Sequence, residues 1–376
     1  MISMSKKKII VFSDWFVPGY KAGGPIKSLK NLIDSVDADF HVFTRITDYH
    51  SNVSYPGLVE GDKIQISRNC AVTYLNENRM NVQSVFKILR SNNFDSIYLN
   101  SLFSFRFTIL PLLVCRTHGL NEKVVVAPRG MLKTGALTIK PWKKSLFLKY
   151  FRFLYKNVTW HATNEQEALE IRSKFPSAKV VIAPVIPSAD EPMPLMGPKK
   201  KGVLRAVCFS RVSAEKGILE AIRSMNSNEK DKKVSLDIYG AIPPGEYAEQ
   251  CKKEAAAGSS VRLMGEVEPA QIKAIYDNYE VFFLPTWGEN YGHAIAEALL
   301  SGKPAIISNK TPWRNLRESS AGFDLELSTA AFVEALEWMC DLDHEQYEIW
   351  SNAAKEYALK VLRNPEVIQA NARLFE

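Results

Sequence analysis

Along the chain, short apolar runs alternate with longer stretches whose apolar positions recur every three or four residues. These are the two periods of strand and helix. In the first half, runs at 8–13, 40–44, 96–99, 123–127, 158–162 and 180–183 predict buried strands, and 25–36, 82–90 and 164–174 predict amphipathic helices between them. In the second half the predicted strands are 205–210, 235–239, 261–264, 281–285 and 305–308, with helices at 215–225, 269–278 and 292–301. Continuous apolar strands alternating with helices are the pattern of doubly wound α/β domains with parallel sheets. Residues 46–69 are polar and poorly periodic and read as loops or a small hairpin. After Thr329 the chain reads as helical to its end.

Between the halves lies 184–202, with Pro184, Pro187, Pro192, Pro194 and Pro198 followed by Lys199, Lys200 and Lys201. Such a proline density excludes a regular helix or central strand. The reading is therefore an N-terminal domain over 1–187, a linker over 188–202 and a C-terminal domain over 203–376. Whether the terminal helices cross back to the first domain is left open.

Composition adds little about fold and more about partners. With 46% hydrophobic and 24% charged residues the chain is an ordinary globular one, which excludes disorder, collagen and coiled coil as its main architecture. The net charge of +7 conceals a split: residues 1–187 carry 26 basic and 13 acidic side chains (+13), leaving 22 and 28 (−6) for the rest. Opposite signs suggest halves with different partners. Cys70, Cys115, Cys208, Cys251 and Cys340 are odd in number and widely spaced, so free thiols are expected. The longest apolar stretch, 102–115, is too short to span a bilayer and contains Arg106. With no leader pattern at 6–14, the expected location is the cytoplasm, peripheral at the inner face of the plasma membrane at most.

Candidate chemistry concentrates at predicted strand ends. A buried strand ends at Pro285, a loop with Gly288 follows, and a helix opens near Tyr291 and Gly292. The carboxyl end of a strand is where ligands bind in open α/β sheets, and a helix start favours phosphate. Glu289 and Glu297 lie eight residues apart. If both were helical that spacing would be about 12 Å, too long for a glycosidase pair at roughly 5–9.5 Å but suited to a ligand with a sugar, a diphosphate and a ribose. Either glutamate alone also reads as an ordinary helix carboxylate. The apolar neighbours Ile295, Ala298, Leu299 and Leu300 make Glu297 unusual.

The Glu289-x7-Glu297 element, within PTWGENYGHAIAEALLSGKPAIIS (285–308) and followed by TPWRNL (311–316), resembles the retaining glycosyltransferases of family 4. It is most similar to the subset that builds bacterial O-antigen, capsule and exopolysaccharide. The resemblance implies a GT-B fold: two Rossmann-like doubly wound domains facing across a cleft. It also implies that Glu289 contacts the donor hexose, that Asn290, Tyr291 and Gly292 present backbone amides to the sugar and diphosphate, and that Glu297 holds the ribose. FSRVSAEKG (209–217) resembles the family's G-R-x-x-x-x-K-G element with Ser210 in place of glycine, which implies that Arg211 and Lys216 neutralise the leaving diphosphate. The alternative is that Lys216 is a helix-surface lysine and Arg211 a salt-bridge partner.

In the first half, DWFVPGYKAGGPIKS (14–28) places Gly23 and Gly24 after a strand and before a helix opened by Pro25. The string is similar to the family's P-x-x-x-G-G loop, whose amides approach the donor phosphates; a packing turn is the alternative. It is not a dinucleotide fingerprint. APRGML (127–132) resembles a P-[HR]-G-M-L string, which implies that Arg129 faces the cleft near donor or acceptor. A structural arginine bonding loop carbonyls is the other reading. His118 and His161 read as packing or surface histidines.

From 123 to 164 there is no acidic residue, while nine basic residues over 123–156 interleave with aromatics. This reads as a surface for anionic lipid, with a self-packed helix as the alternative; no nucleic-acid motif accompanies the charge. The D-x-D tripeptides at Asp37 and Asp341 read as surface carboxylates, and no metal or cofactor is expected. The resemblance thus implies a metal-independent, retaining transfer of a hexose or N-acetylhexosamine from a nucleotide sugar, UDP rather than GDP, to a lipid-linked glycan acceptor. The alternatives are a nucleotide-sugar epimerase of the same fold, a phosphorylase, or a non-catalytic subunit of a polysaccharide assembly complex.

Overall fold

The computed structural model describes residues 6–133, 147–148, 150–187, 198–227, 233–258, 260–362 and 364–376. The chain divides into two compact units, Met1–Ser188 with Asn364–Glu376, and Ala189–Arg363. Each is a sheet covered by helices.

The first sheet runs β3-β4-β2-β1-β5-β6-β7-β8. Its strands are β1 (Lys8–Phe12), β2 (Asp39–Arg45), β3 (Lys63–Ser67), β4 (Cys70–Leu75), β5 (Ser96–Leu99), β6 (Val124–Val126), β7 (Thr159–Ala162) and β8 (Lys179–Ile182). All neighbours are parallel except the edge pair β3–β4. The chain order reverses between β1 and β5, and apolar clusters cover both faces. Within 46–69, read as loops or a small hairpin, lies β3, which forms a hairpin with the unforeseen β4. The helix Val82–Ser91 begins where Asn81 accepts a bond from Ser84 N (3.0 Å), and Glu165–Lys174 where Asn164 accepts one from Glu167 N (2.9 Å).

The second sheet runs β11-β10-β9-β12-β13-β14, entirely parallel. Its strands are β9 (Val203–Phe209), β10 (Lys233–Tyr239), β11 (Val261–Gly265), β12 (Val281–Leu284), β13 (Ala305–Ser308) and β14 (Gly322–Leu325), the last not foreseen. This is the Rossmann order 3-2-1-4-5-6, with its switch point between β9 and β12. Lys199, read from sequence as linker, is buried and donates to Cys340 O (3.0 Å) and Leu342 O (2.7 Å), closing the carboxyl end of the helix Thr329–Asp341.

The last helix, Pro365–Ala372, and the turn Arg373–Phe375 group with the first unit, the crossing back that the sequence left open. Asn371 donates to Pro184 O (2.8 Å), and Phe375 packs its ring 6.0 Å from Phe40 and 5.8 Å from Tyr98 in the first unit's core. All five cysteines are buried, and none is in a disulfide among the described residues. Among the described residues no helix is long and apolar enough to cross a membrane.

Candidate active site

The second unit brings its sequence-predicted residues to the switch point of its own sheet. Beyond β9 the chain makes a short turn, Ala214–Lys216, and reaches Gly217 at φ 66°. A Cβ on Gly217 would lie 1.9 Å from Pro285 O, so only glycine permits this approach. Thr286 Oγ1 and Trp287 N both donate to Glu215 O (3.0 and 2.8 Å), tying the loop after β12 to the loop after β9. From the other side, Glu289 N donates to Lys310 O (3.1 Å) and Ser308 Oγ to Thr286 O, fastening the same loop to the end of β13.

Across this junction Lys216 Nζ lies 2.5 Å from Glu289 Oε1. The pair is largely sheltered, with side-chain exposures of 19% and 13%. An ammonium has three donors, so Lys216 can hold Glu289 and still bind an anion. Beneath the pair, burial pushes the Cys208 thiol up to about 12, with Lys216 opposing and Glu289 adding to the shift. Cys208 is therefore no nucleophile.

Gly292 (φ 82°) is the cap of the helix His293–Leu300, and its carbonyl accepts from Ile295 N (3.0 Å) and Ala296 N (3.1 Å). Only Glu297 lies in this helix. Glu289 stands in the loop before it, so the 12 Å helical rise does not describe the pair, and Glu289 is not a first-turn carboxylate. Trp313 Nε1 donates to Tyr291 O (2.6 Å), fixing the segment that enters the helix. Burial raises the Tyr276 and Tyr291 hydroxyls well above their ordinary value, and the charge of Glu297 adds to both shifts. Arg211 is exposed on the loop after β9.

The structure thus assembles Lys216, Glu289, Asn290, Tyr291, Gly292 and Glu297 around one strand-end junction, with Arg211 on the adjoining loop. Gly23, Gly24 and Arg129 lie in the other unit, at its own switch point. Gly23 (φ 71°) caps the helix Gly24–Ser35. Arg129, itself at φ 54°, donates from Nε to Asn100 Oδ1 (2.8 Å) and from Nη2 to Tyr98 Oη (2.8 Å). Asn100 Nδ2 in turn donates to Pro25 O (3.3 Å), so Asn100 joins the Arg129 loop to the glycine loop. The partners of Arg129 are therefore an amide and a phenol, not the loop carbonyls of the alternative reading. Tyr98 Oη meets buried His161 Nδ1 (2.7 Å), whose Nε2 contacts Ala183 O (2.7 Å). Burial first, then the Arg129 charge, depresses His161 to about 3, so it is a neutral packing histidine.

Sequence reasoning did not single out Asn100, Thr286, Ser308 or Trp313. Thr286, Ser308 and Trp313 stand inside the strings it used, but nothing marks a latch until strand ends are juxtaposed. Among the described residues no group of three or more metal-ligating side chains converges. Asp37 pairs with Lys6 (2.5 Å), and Asp343 caps the helix His344–Leu362 by accepting from Gln346 N (2.9 Å).

Residues 197–357 match the family model of glycosyl transferases group 1, a stretch lying wholly within the second unit. Among curated proteins, none matches the chain in sequence. Sucrose-phosphate synthase from Thermosynechococcus elongatus is similar in fold, with a TM-score of 0.69 at 16% identity, covering 98% of either chain. Anabaena HepE, solved in complex with UDP and glucose, gives 0.68 at 12% identity, covering 98% of either chain. WaaG, a glycosyltransferase involved in lipopolysaccharide biosynthesis, gives 0.64 at 11%, covering 93% of this chain and 95% of its own. The match to the glycosyl transferases group 1 model is thus confined to residues 197–357, and the chain as a whole has the fold of the GT-B glycosyltransferases.

Proposed function

We propose that the protein moves a hexose or N-acetylhexosamine from a nucleoside-diphosphate sugar, UDP in preference to GDP, to a growing lipid-linked glycan, with retention at the anomeric carbon. The observation that carries this reading is the sheltered Lys216–Glu289 pair at the β9/β12 switch point, beside the helix that opens at Gly292. A carboxylate for sugar hydroxyls and an ammonium for a phosphate meet there at one hydrogen bond's distance. The diphosphate is assigned to Lys216, Arg211 and the helix start, the hexose to Glu289, and the ribose to Glu297. The glycine loop at Gly23 and Gly24 and Arg129 are assigned to donor phosphate and acceptor.

In the reaction the bond between the anomeric carbon and the diphosphate oxygen breaks as the acceptor oxygen bonds to that carbon. The departing phosphate takes the acceptor's proton. Positive charge grows on the sugar and negative charge on the diphosphate. Lys216 and Arg211 stabilise the latter and need no metal to do so. That HepE was solved with UDP and glucose supports the choice of base. Replacing Glu289 with Gln keeps the shape and removes the charge. Turnover measured by nucleoside-diphosphate release is expected to fall about 10²- to 10³-fold with the unfolding midpoint little changed. A Glu289→Gln protein at wild-type turnover would overturn the assignment.

Attachment to an anionic bilayer is assigned to the 123–156 segment, of which 134–146 and Lys149 lie outside the described residues. Those described include exposed Tyr150 and Phe153, with Arg152 and Lys156. Phe153, Arg152 and Lys156 border a cavity of about 920 Å³ that Lys179 also lines.

A further inference from the structure

A second cluster sits at the carboxyl edge of the first unit's sheet and is used by nothing described above. It gathers one residue from each of four strand ends: Asp14 after β1, Arg45 at the end of β2, Glu77 after β4 and Ser104 after β5. Asp14 Oδ1 accepts from Ser104 Oγ (2.8 Å) and Arg45 Nη2 (3.0 Å), while Arg45 Nη1 is bonded to Glu77. Asp14 and Arg45 are 12% and 19% exposed. Arg45 Nε is buried without a hydrogen-bond partner. Its guanidinium lies 5.2 Å from the Trp15 ring centre and 5.6 Å from that of Phe107. Trp15 meets Tyr49 edge-on at 4.8 Å, and Tyr49 lies 3.9 Å from His50. Trp15 and Tyr49 are half-buried, and His50 is exposed.

A purely structural ion pair would not require partly open aromatic rings at its rim. The position is the switch point of this sheet, between β1 and β5, where an open α/β sheet receives its ligand. Neither bond to Asp14 uses Oδ2, and a carboxylate can accept from two vicinal hydroxyls. An indole beside it offers an apolar surface for the C–H face of a pyranose ring. Charge decides what kind of ligand fits. Within these four residues Arg45 faces two carboxylates, so their summed formal charge is −1, which disfavours a phosphate or uronate held by Asp14 itself.

We propose that this cluster is the subsite for the acceptor's sugar, that its occupant is a neutral pyranose, and that Trp15 stacks on the ring while Asp14 holds its hydroxyls. The inference rests on the glycosyltransferase reading. It adds that the recognised end of the acceptor is an uncharged sugar, with any phosphate of its carrier held elsewhere.

The test is saturation-transfer NMR on the full chain with UDP present. The neutral probes are the methyl glycosides of glucose, galactose, mannose and N-acetylglucosamine; the charged probes are methyl glucuronide and glucose 6-phosphate. Transfer to at least one neutral glycoside is expected, at least fivefold stronger than to either charged probe. It should drop at least fivefold in Asp14→Asn and in Trp15→Ala, and be retained in Trp15→Phe. No transfer to any neutral glycoside, equal transfer to the charged probes, or unchanged transfer in Asp14→Asn would each overturn the subsite. Asp14→Asn is isosteric and carries the test if Trp15→Ala fails to fold. UDP binding, titrated separately, distinguishes the failures: without it the glycosyltransferase reading falls, and with it only the subsite does.

Discussion

At the scale of single residues, the site depends on groups whose neighbours leave them little choice. Gly217 lets Lys216 reach Glu289, and Trp313 pins Tyr291. Away from the site, Lys303 in the Gly-Lys-Pro turn is 1% exposed. Burial lowers its ammonium to about 8, with Asp277 and Glu280 opposing and Lys355 and Arg205 assisting. Below pH 8 the folded protein must bury a charge that the unfolded chain keeps in water. Between pH 8 and 10.5 the unfolded state still binds the proton and the folded state does not, so this group's contribution to stability rises with pH. From 10.5 to 8 the penalty is at most about 3 kcal/mol. Lys303→Met, close in volume, is therefore expected to be more stable than wild type at pH 7, with the gap closing toward pH 10. Urea midpoints at the two pH values check this. A variant less stable at pH 7 would show that the ammonium stabilises the fold.

At the scale of elements, the strands with long apolar runs and clear helical neighbours were legible, and β5 and β13 match to the residue. β4 was not, although Cys70 to Leu75 is an apolar run. It follows polar, aperiodic sequence, and only its seat between β2 and β3 shows it to be interior. β14 is four residues long and its partly open end, Asp324 and Leu325, blurs the pattern. The closing turn Arg373–Phe375 was also illegible, because nothing local says whose core a terminal Leu-Phe enters. Phe375 is buried against Phe40 and Tyr98 of the first unit. Phe375→Ala is expected to destabilise that unit by about 3–5 kcal/mol. The check is urea unfolding followed by hydrogen exchange in β1 and β2. Unchanged protection there would mean the terminus is not part of that core.

At the scale of the whole molecule, the candidate site was legible as a set of motifs and illegible as a geometry. Glu289, Glu297, Arg211 and Lys216 could be named from the strings that hold them. That Lys216 and Glu289 form one ion pair could not, because they are 73 positions apart and meet only through the β9/β12 pairing. The excess of basic side chains in the first half is what the proposed attachment to an anionic bilayer rests on. Binding to anionic vesicles is expected to weaken steeply from 50 to 500 mM salt. Co-sedimentation that ignores salt, or equals that with neutral vesicles, would remove the electrostatic attachment.

The β9/β12 junction is proposed to hold a nucleoside diphosphate. Calorimetric titration of the full chain with UDP, GDP and ADP tests it most directly. Saturable binding of UDP, at least tenfold tighter than of GDP or ADP, is the expected result. A preference for GDP would contradict the proposed base. Absence of binding by all three would contradict the site itself, because Lys216, Arg211 and the helix start at Gly292 would then have no anion to hold.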